Sequence, residues 1–191
     1  MEQAVRSIMG QTYKNLEIIV TDDCSSDSTY AILNALAEED SRIRLFRNEK
    51  NLGIVDTLNN MIDLSQGKYI ARMDADDISL PERIEKQVGF METHQGYAIC
   101  GTNAWHINET GRVTGLSILP GDNDEVQVFK NFRCPFYHPS VLVRAEVFRQ
   151  NMYKKEFEYA EDYELWLRIL YRYKGANLRE SFFCYRILKS S

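Results

Sequence analysis

Gly67-Lys68-Tyr69-Ile70-Ala71-Arg72-Met73-Asp74-Ala75-Asp76-Asp77 is the stretch that decides how this chain reads. Lys68 to Arg72, short and rich in apolar residues behind a glycine, reads as a strand. Three carboxylates within the next few positions follow it at once. Like charges this close repel one another unless something positive sits among them. A hard divalent cation, Mg²⁺ or Mn²⁺, takes oxygen ligands and commonly binds through one or two carboxylates plus substrate phosphates. The alternative is a solvated turn in which Asp77 caps the next helix.

Working outward towards the N-terminus, helix and strand alternate. Gln3 to Met9 reads as a short helix ended by Gly10, and Leu16 to Thr21 as a strand. Ser25, Ser26 and Asp27 offer N-caps for a helix that carries Ile32, Leu33 and Leu36 at helical spacing. Ile43 to Phe46 is a further strand, and Asn51 can cap a helix from Gly53 to Leu64. Beyond the acidic turn, Pro81 suits the first turn of a helix whose buried face is Ile84, Val88 and Met91. This alternation predicts an α/β domain with a mostly parallel sheet, and such sheets bind ligands beyond the carboxyl ends of their strands. Two acidic clusters lie at such ends: Asp22-Asp23 and Asp74 to Asp77.

The second half changes character. Tyr97 to His106 and Arg112 to Ile118 read as strands around the turn at Asn108 to Gly111, followed by a helix from Asp122 to Lys130. Prolines make Cys134 to Pro139 irregular. Val141 to Val143 reads as a short strand, Glu161 to Arg172 as a helix, and Phe182 to Ile187 as a last strand.

Composition excludes several classes. The chain has 191 residues, 44% of them hydrophobic, and a formal charge of −5. That suits one globular domain, and it argues against broad nucleic-acid binding, which needs clustered Lys and Arg. The scattered cysteines Cys24, Cys100, Cys134 and Cys184 form no zinc or redox pair and read as reduced thiols. No apolar run approaches the ~20 residues of a bilayer span, and the N-terminus lacks a signal-peptide core. The expectation is a cytoplasmic protein, with peripheral contact at the inner membrane face left open.

Besides the acidic turn, two places can carry chemistry. Asp23, near a strand end, could accept hydrogen bonds from a base or ribose, whereas Ser25, Ser26 and Asp27 read better as caps. Glu161-Asp162 opens a helix, where the dipole favours an ionised carboxylate fit to act as a general base, or is an ordinary acidic first turn. His138 reads as packing, and Trp105 and Trp166 as core. Neither a P-loop nor a GxGxxG pattern can be written.

Taken together, these residues resemble glycosyltransferase family 2. The resemblance runs through Ser7 to Tyr13, Glu17 to Asp27, Asn48 to Gly53, Gly67 to Asp77, His138-Pro139-Ser140 and Glu161 to Trp166, and covers nearly the whole chain. It implies the GT-A fold: a Rossmann-like, mostly parallel sheet flanked by helices, with a smaller acceptor-side β region. Residues 1–95 would form the nucleotide-sugar half and 96–191 the acceptor half. The implied activity is inverting transfer of a sugar from a nucleotide-diphosphate donor, UDP favoured, to a hydroxyl of a glycan or lipid-linked glycan, in surface polysaccharide or glycolipid synthesis. By the same resemblance Asp23, Arg72 and Asp74 bind the donor, Asp76 binds Mg²⁺ or Mn²⁺, and Asp162 is the catalytic base.

Two departures stand out. Family members begin with a strand ahead of the first helix, whereas Met1 already stands at that helix. At the other end, Leu188 follows Tyr185-Arg186-Ile187 where a histidine is common. The expectation is therefore a domain truncated at both ends. Two competing readings remain: a non-catalytic nucleotide-sugar binder or assembly partner, and a sugar nucleotidyltransferase, which would need a Gly-rich phosphate loop.

Overall fold

The computed structural model describes residues 1–188. The α/β expectation holds, but among the described residues the strands form two sheets with two parallel and four antiparallel pairings, rather than one mostly parallel sheet. β1 (Ile18–Asp22) and β2 (Ile43–Arg47) pair in parallel as a two-stranded sheet, with α2 (Thr29–Glu39) carrying the chain between them. α1 (Glu2–Met9) precedes them, and its Val5 packs with Ile18, Leu33, Leu36 and Ile43 in one apolar cluster. Burying such side chains stabilises the fold by ~1.5–3 kcal/mol each, so this small unit holds α1 firmly despite its two turns of helix.

The larger sheet has six strands and is mixed. β3 (Tyr69–Ala71), β7 (Leu142–Arg144), β5 (Tyr97–Ile107), β8 (Lys174–Arg186) and β4 (Ile78–Ser79) follow one another across it, and β6 (Val113–Ser117) pairs with β5. β5 and β8 run parallel; the β3–β7, β5–β7, β4–β8 and β5–β6 pairs are antiparallel. α3 (Ile54–Leu64) and α6 (Ala145–Gln150) touch each other, and α4 (Arg83–Thr93) packs on β5 and β7. The main core gathers Ile99, Val143, Phe148, Leu165, Trp166 and Ile169, so α7 (Glu161–Arg172) is seated by the apolar stripe that the sequence shows. α5 (Asn123–Phe129) is capped by Asp122, which accepts the Glu125 N–H.

Three elements differ from expectation. β8 begins at Lys174, eight residues before the expected start. Its early part is polar or small, yet buried: Asn177 donates to the Pro120 and Pro135 carbonyls, and Gly175 lies where a Cβ would meet Leu170, Ile99 and Phe136 within 3 Å. β4 and α6 are short and were not legible, since each is stabilised by its neighbours rather than by its own pattern. Among the described residues no helix is long and apolar enough to cross a membrane.

Candidate active site

The acidic turn hangs between β3 and β4. At the end of β3 the Arg72 N–H donates to the Val141 carbonyl, and its buried guanidinium pairs with the Asp74 carboxylate at 2.5 Å. Pairing of β4 with β8, Ile78 opposite Cys184 and Ser79 opposite Phe183, fixes the far side. Arg186 then ties the turn down. Its N–H donates to Asp77 Oδ1 at 2.7 Å, its Nε to the Asp76 carbonyl at 2.6 Å, and its Nη1 to the Asn108 and Glu109 carbonyls.

The three carboxyls of the turn therefore differ. Asp77 is buried, and one of its oxygens has no partner. Burial pushes it up to about 7, the Arg186 N–H opposing and the charges of Asp76 and Asp74 adding to the rise. Asp77 does not cap α4, whose N-cap is Glu82. Asp74 is half-buried against Arg72. Asp76 is exposed, and among the described residues its carboxylate makes no hydrogen bond or ion pair. Behind the turn lies Arg83, fully buried, donating to the Arg72 and Val141 carbonyls and to Gln87. Burial pulls it down to about 9, and its guanidinium lies over the Phe183 ring at 5.0 Å.

Asp162 opens α7. Its Oδ1 accepts the Tyr163 N–H at 2.6 Å, and its Oδ2 lies 3.8 Å from Cys134 Sγ. Burial raises its pKa above the ordinary carboxylate value; the Tyr163 N–H and Arg72 oppose the rise, and Glu161 adds to it. Cys134 is itself pushed up to about 12, by burial and then by Asp162, so it stays a thiol that can donate. No local pattern announces that contact, because Cys134 and Asp162 are 28 positions apart. His138 is half-buried: it packs against Tyr153 and Trp166, with Nε2 2.7 Å from the Tyr153 hydroxyl, and it also lines the cleft; desolvation holds its pKa well below the usual range.

These groups meet in a cleft of about 630 Å³, whose walls include Arg72, Asp74, Glu161, Asp162, Arg133 and Tyr137. Arg72, Asp74 and Asp162 are thus brought together. Asp23 and Asp76 lie outside that lining. Asp23 acts on it through a loop: its carboxylate accepts Asn48 Nδ2 (2.7 Å), the Leu52 N–H (2.9 Å) and the Gly53 N–H (3.0 Å). Burial would raise its pKa, but these donors outweigh burial and leave it low. Gly53, at φ 81, leads into Ile54, which does line the cleft. Asp27 accepts the Thr29 N–H just ahead of α2, but the N-cap itself is Ser28, which is none of the three residues the sequence suggested.

Among the described residues no three His, Cys, Asp or Glu side chains converge on one point. The turn offers fewer and harder donors: Asp76, exposed and unpaired, and Asp74 beside it. That set suits a cation such as Mg²⁺ or Mn²⁺ that keeps waters and draws its remaining oxygens from a diphosphate. Arg186 and Arg83 were missed in the sequence. A basic residue in a strand or an acidic-looking helix start gives no signal until the fold brings it under the turn.

The chain belongs to glycosyl transferase family 2, whose family model matches residues 1–152. It is 37% identical over 188 residues to the putative glycosyltransferase EpsE of Bacillus subtilis, covering 96% of this chain and 66% of that protein. It is 36% identical to the amylovoran biosynthesis glycosyltransferase AmsE of Erwinia amylovora, covering 89% and 64%. The chain thus spans just under two thirds of the length of these relatives. Among solved structures, S. aureus TarS 1–349 in complex with UDP superposes with a TM-score of 0.79 at 16% identity, over 97% of this chain and 56% of that one. The mannosyltransferase PcManGT of Pyrobaculum calidifontis, in complex with GDP-Man and Mn²⁺, gives 0.72 at 16% identity, over 96% and 52%. At that identity the likeness establishes the fold, which is GT-A.

Proposed function

We propose that this chain carries the catalytic centre of a metal-dependent, inverting transferase. It moves a sugar from a UDP-sugar to a hydroxyl of a glycan or lipid-linked glycan, in polysaccharide or glycolipid synthesis. The observation that supports this most is the shared cleft: a half-buried carboxylate, Asp162, lines the same cavity as the Arg72–Asp74 pair at the foot of an acidic turn. The part of AmsE in amylovoran biosynthesis supports the polysaccharide reading, and the UDP and GDP-Man held by the two solved neighbours support a nucleotide-sugar donor.

Asp162 takes the proton from the acceptor hydroxyl as that oxygen bonds to the anomeric carbon. The bond from that carbon to the diphosphate breaks on the opposite face, so the configuration inverts. Burial raises the proton affinity of Asp162, and a base whose pKa lies closer to the working pH transfers protons more effectively. Arg72 and its partner Asp74 orient the donor, and Asp23 fixes the Leu52–Ile54 loop that closes one wall. A cation held at Asp76 would neutralise charge on the departing diphosphate. Fixing donor and acceptor in line supplies much of the remaining acceleration.

The test is Asp162→Asn. Its amide oxygen can still accept the Tyr163 N–H, so the helix start is kept. Donor binding, read by thermal shift with Mn²⁺, should persist while transfer and donor hydrolysis fall about 10²–10⁴-fold. A folded variant that loses donor binding overturns the assignment. Donor binding without turnover in the unaltered chain supports the non-catalytic reading instead. Asp76→Ala should remove the Mn²⁺ dependence of the donor-induced shift.

A further inference from the structure

The cleft has a wall that the proposed mechanism leaves unused. Ser117 at the end of β6, Tyr137 ahead of the His138–Ser140 turn and Tyr185 in β8 all line it. Against them stands His106 in β5, the strand that pairs with both β6 and β8. The register explains why these side chains meet. His106 lies opposite Tyr185 on one side and opposite Gly115 on the other. A Cβ at Gly115 would meet the imidazole Nδ1 at 3.4 Å, so glycine leaves the ring room to reach Ser117, the next residue on the same face of β6. Tyr137 comes from a separate segment. Its carbonyl accepts both the N–H and the hydroxyl of Ser140, which fixes the backbone behind its ring.

Three polar atoms close a triangle. Tyr137 Oη is 2.7 Å from Ser117 Oγ and 2.9 Å from His106 Nε2, and Ser117 Oγ is 2.8 Å from that same nitrogen. Tyr137 donates to Ser117. With Nε2 bare, Ser117 donates to it, and the Tyr137 oxygen has only lone pairs left for a ligand. With Nε2 carrying the proton, it donates to Tyr137, and the Ser117 proton is left free. Among the described residues Nδ1 has no hydrogen-bond partner, so the protein selects neither tautomer. The triangle can therefore accept or donate, as a ligand requires. Beside it the Tyr137 and Tyr185 rings stand 4.8 Å apart at 36°, an aromatic surface with polar tips.

We propose that Tyr137, Ser117 and His106, with the Tyr185 ring, form the subsite that seats the acceptor as a pyranose. Such a sugar presents C–H groups on its faces and hydroxyls around its rim. One face rests on the tyrosine rings, and one rim hydroxyl exchanges hydrogen bonds with Tyr137. A mostly aromatic wall with a few placed polar groups fixes orientation in this way. A neighbouring hydroxyl of the same sugar is the nucleophile that Asp162, in the same cleft, deprotonates. Tyr137 is thus a specificity-determining residue. The inference rests on the reading of this cleft as the site of transfer.

Its test reads binding and not turnover, so the two readings fail separately. Methyl β-D-glucopyranoside, its galacto and manno epimers, and the monodeoxy derivatives of each are titrated into the full chain with UDP and Mg²⁺. Amide shifts are followed by NMR at Ser117, Tyr137 and Tyr185. At least one parent glycoside should give saturable shifts at these amides, and one of its deoxy derivatives should bind about tenfold more weakly. In Tyr137→Phe, which keeps the ring and loses the hydroxyl, that difference between parent and deoxy sugar should vanish. A merely structural Tyr137 would weaken every ligand alike and leave the difference intact, which overturns the inference. So does the absence of saturable binding by all the parent glycosides. Replacing UDP with UDP-glucose should leave the glycoside bound. Its displacement would put the subsite on the donor side and overturn the acceptor assignment.

Discussion

Replacing Asp77 by asparagine should flatten the dependence of stability on pH near neutrality. One Asp77 oxygen accepts the Arg186 N–H, and the other is buried without a partner. Burial raises the carboxyl from 3.8 to about 7. A raised native pKa means that the folded chain holds the proton more tightly than the unfolded one. The resulting stabilisation is complete below the unfolded pKa and is lost as pH rises through the native one. A shift of this size corresponds to a total of roughly 4 kcal/mol at about 1.36 kcal/mol per unit. Between pH 6 and pH 8 the part lost is about 1.4 kcal/mol. Asp77→Asn keeps an acceptor for Arg186 and cannot titrate, so this loss disappears. Urea denaturation in EDTA at both pH values, followed by circular dichroism, compares the two proteins. Because other groups titrate equally in both, the difference of differences isolates Asp77. A wild-type protein whose stability changes with pH no more than the variant's refutes the argument.

The remaining expectations are more direct. Because Asp162 must be ionised to accept a proton and burial raises its pKa, kcat should fall on acidification at a pH above the ordinary carboxylate range; a pH–rate profile with a normal carboxylate limb contradicts the base assignment. Asp23→Ala orphans the Leu52 N–H and leaves the Gly53 N–H with Asn51 Oδ1 alone, and should cost about 1–3 kcal/mol in denaturant titration while weakening donor binding. Phe148→Ala empties a site between Tyr153 and Trp166 and should cost about 3–5 kcal/mol, measured the same way.

The sequence made the regular elements legible where their own pattern sustains them. The helix at Glu161–Arg172 lies where its apolar spacing placed it, and the strands at Ile43–Arg47 and Tyr97–Ile107 lie within a residue of expectation. Elements held by tertiary contacts did not announce themselves. Two residues of β4 are a strand only because β8 lies beside them, and the buried start of β8 is written in glycine and asparagine rather than in valine. The site divides in the same manner. Acidic side chains at strand and helix ends were visible because like charges in a row are unusual. Their counter-charges were not, since Arg83 and Arg186 reach the turn from an adjoining helix and from the last strand. The distinction among the turn's carboxyls, one buried, one paired and one free, depends on burial, which no local pattern encodes.

Arg186 also sets the mechanics of the turn. Its single side chain grips the Asp76 carbonyl, the Asn108 and Glu109 carbonyls at the tip of the β5–β6 hairpin, and Gln3 at the head of α1. Three stretches remote in the chain are thereby geared to one another. Any inward swing of the acidic loop must tow the hairpin tip with it or break charge-assisted bonds, each about twice as strong as a neutral one. Cutting the guanidinium back to a lysine would leave one point of attachment for several carbonyls and let the loop drift on its own.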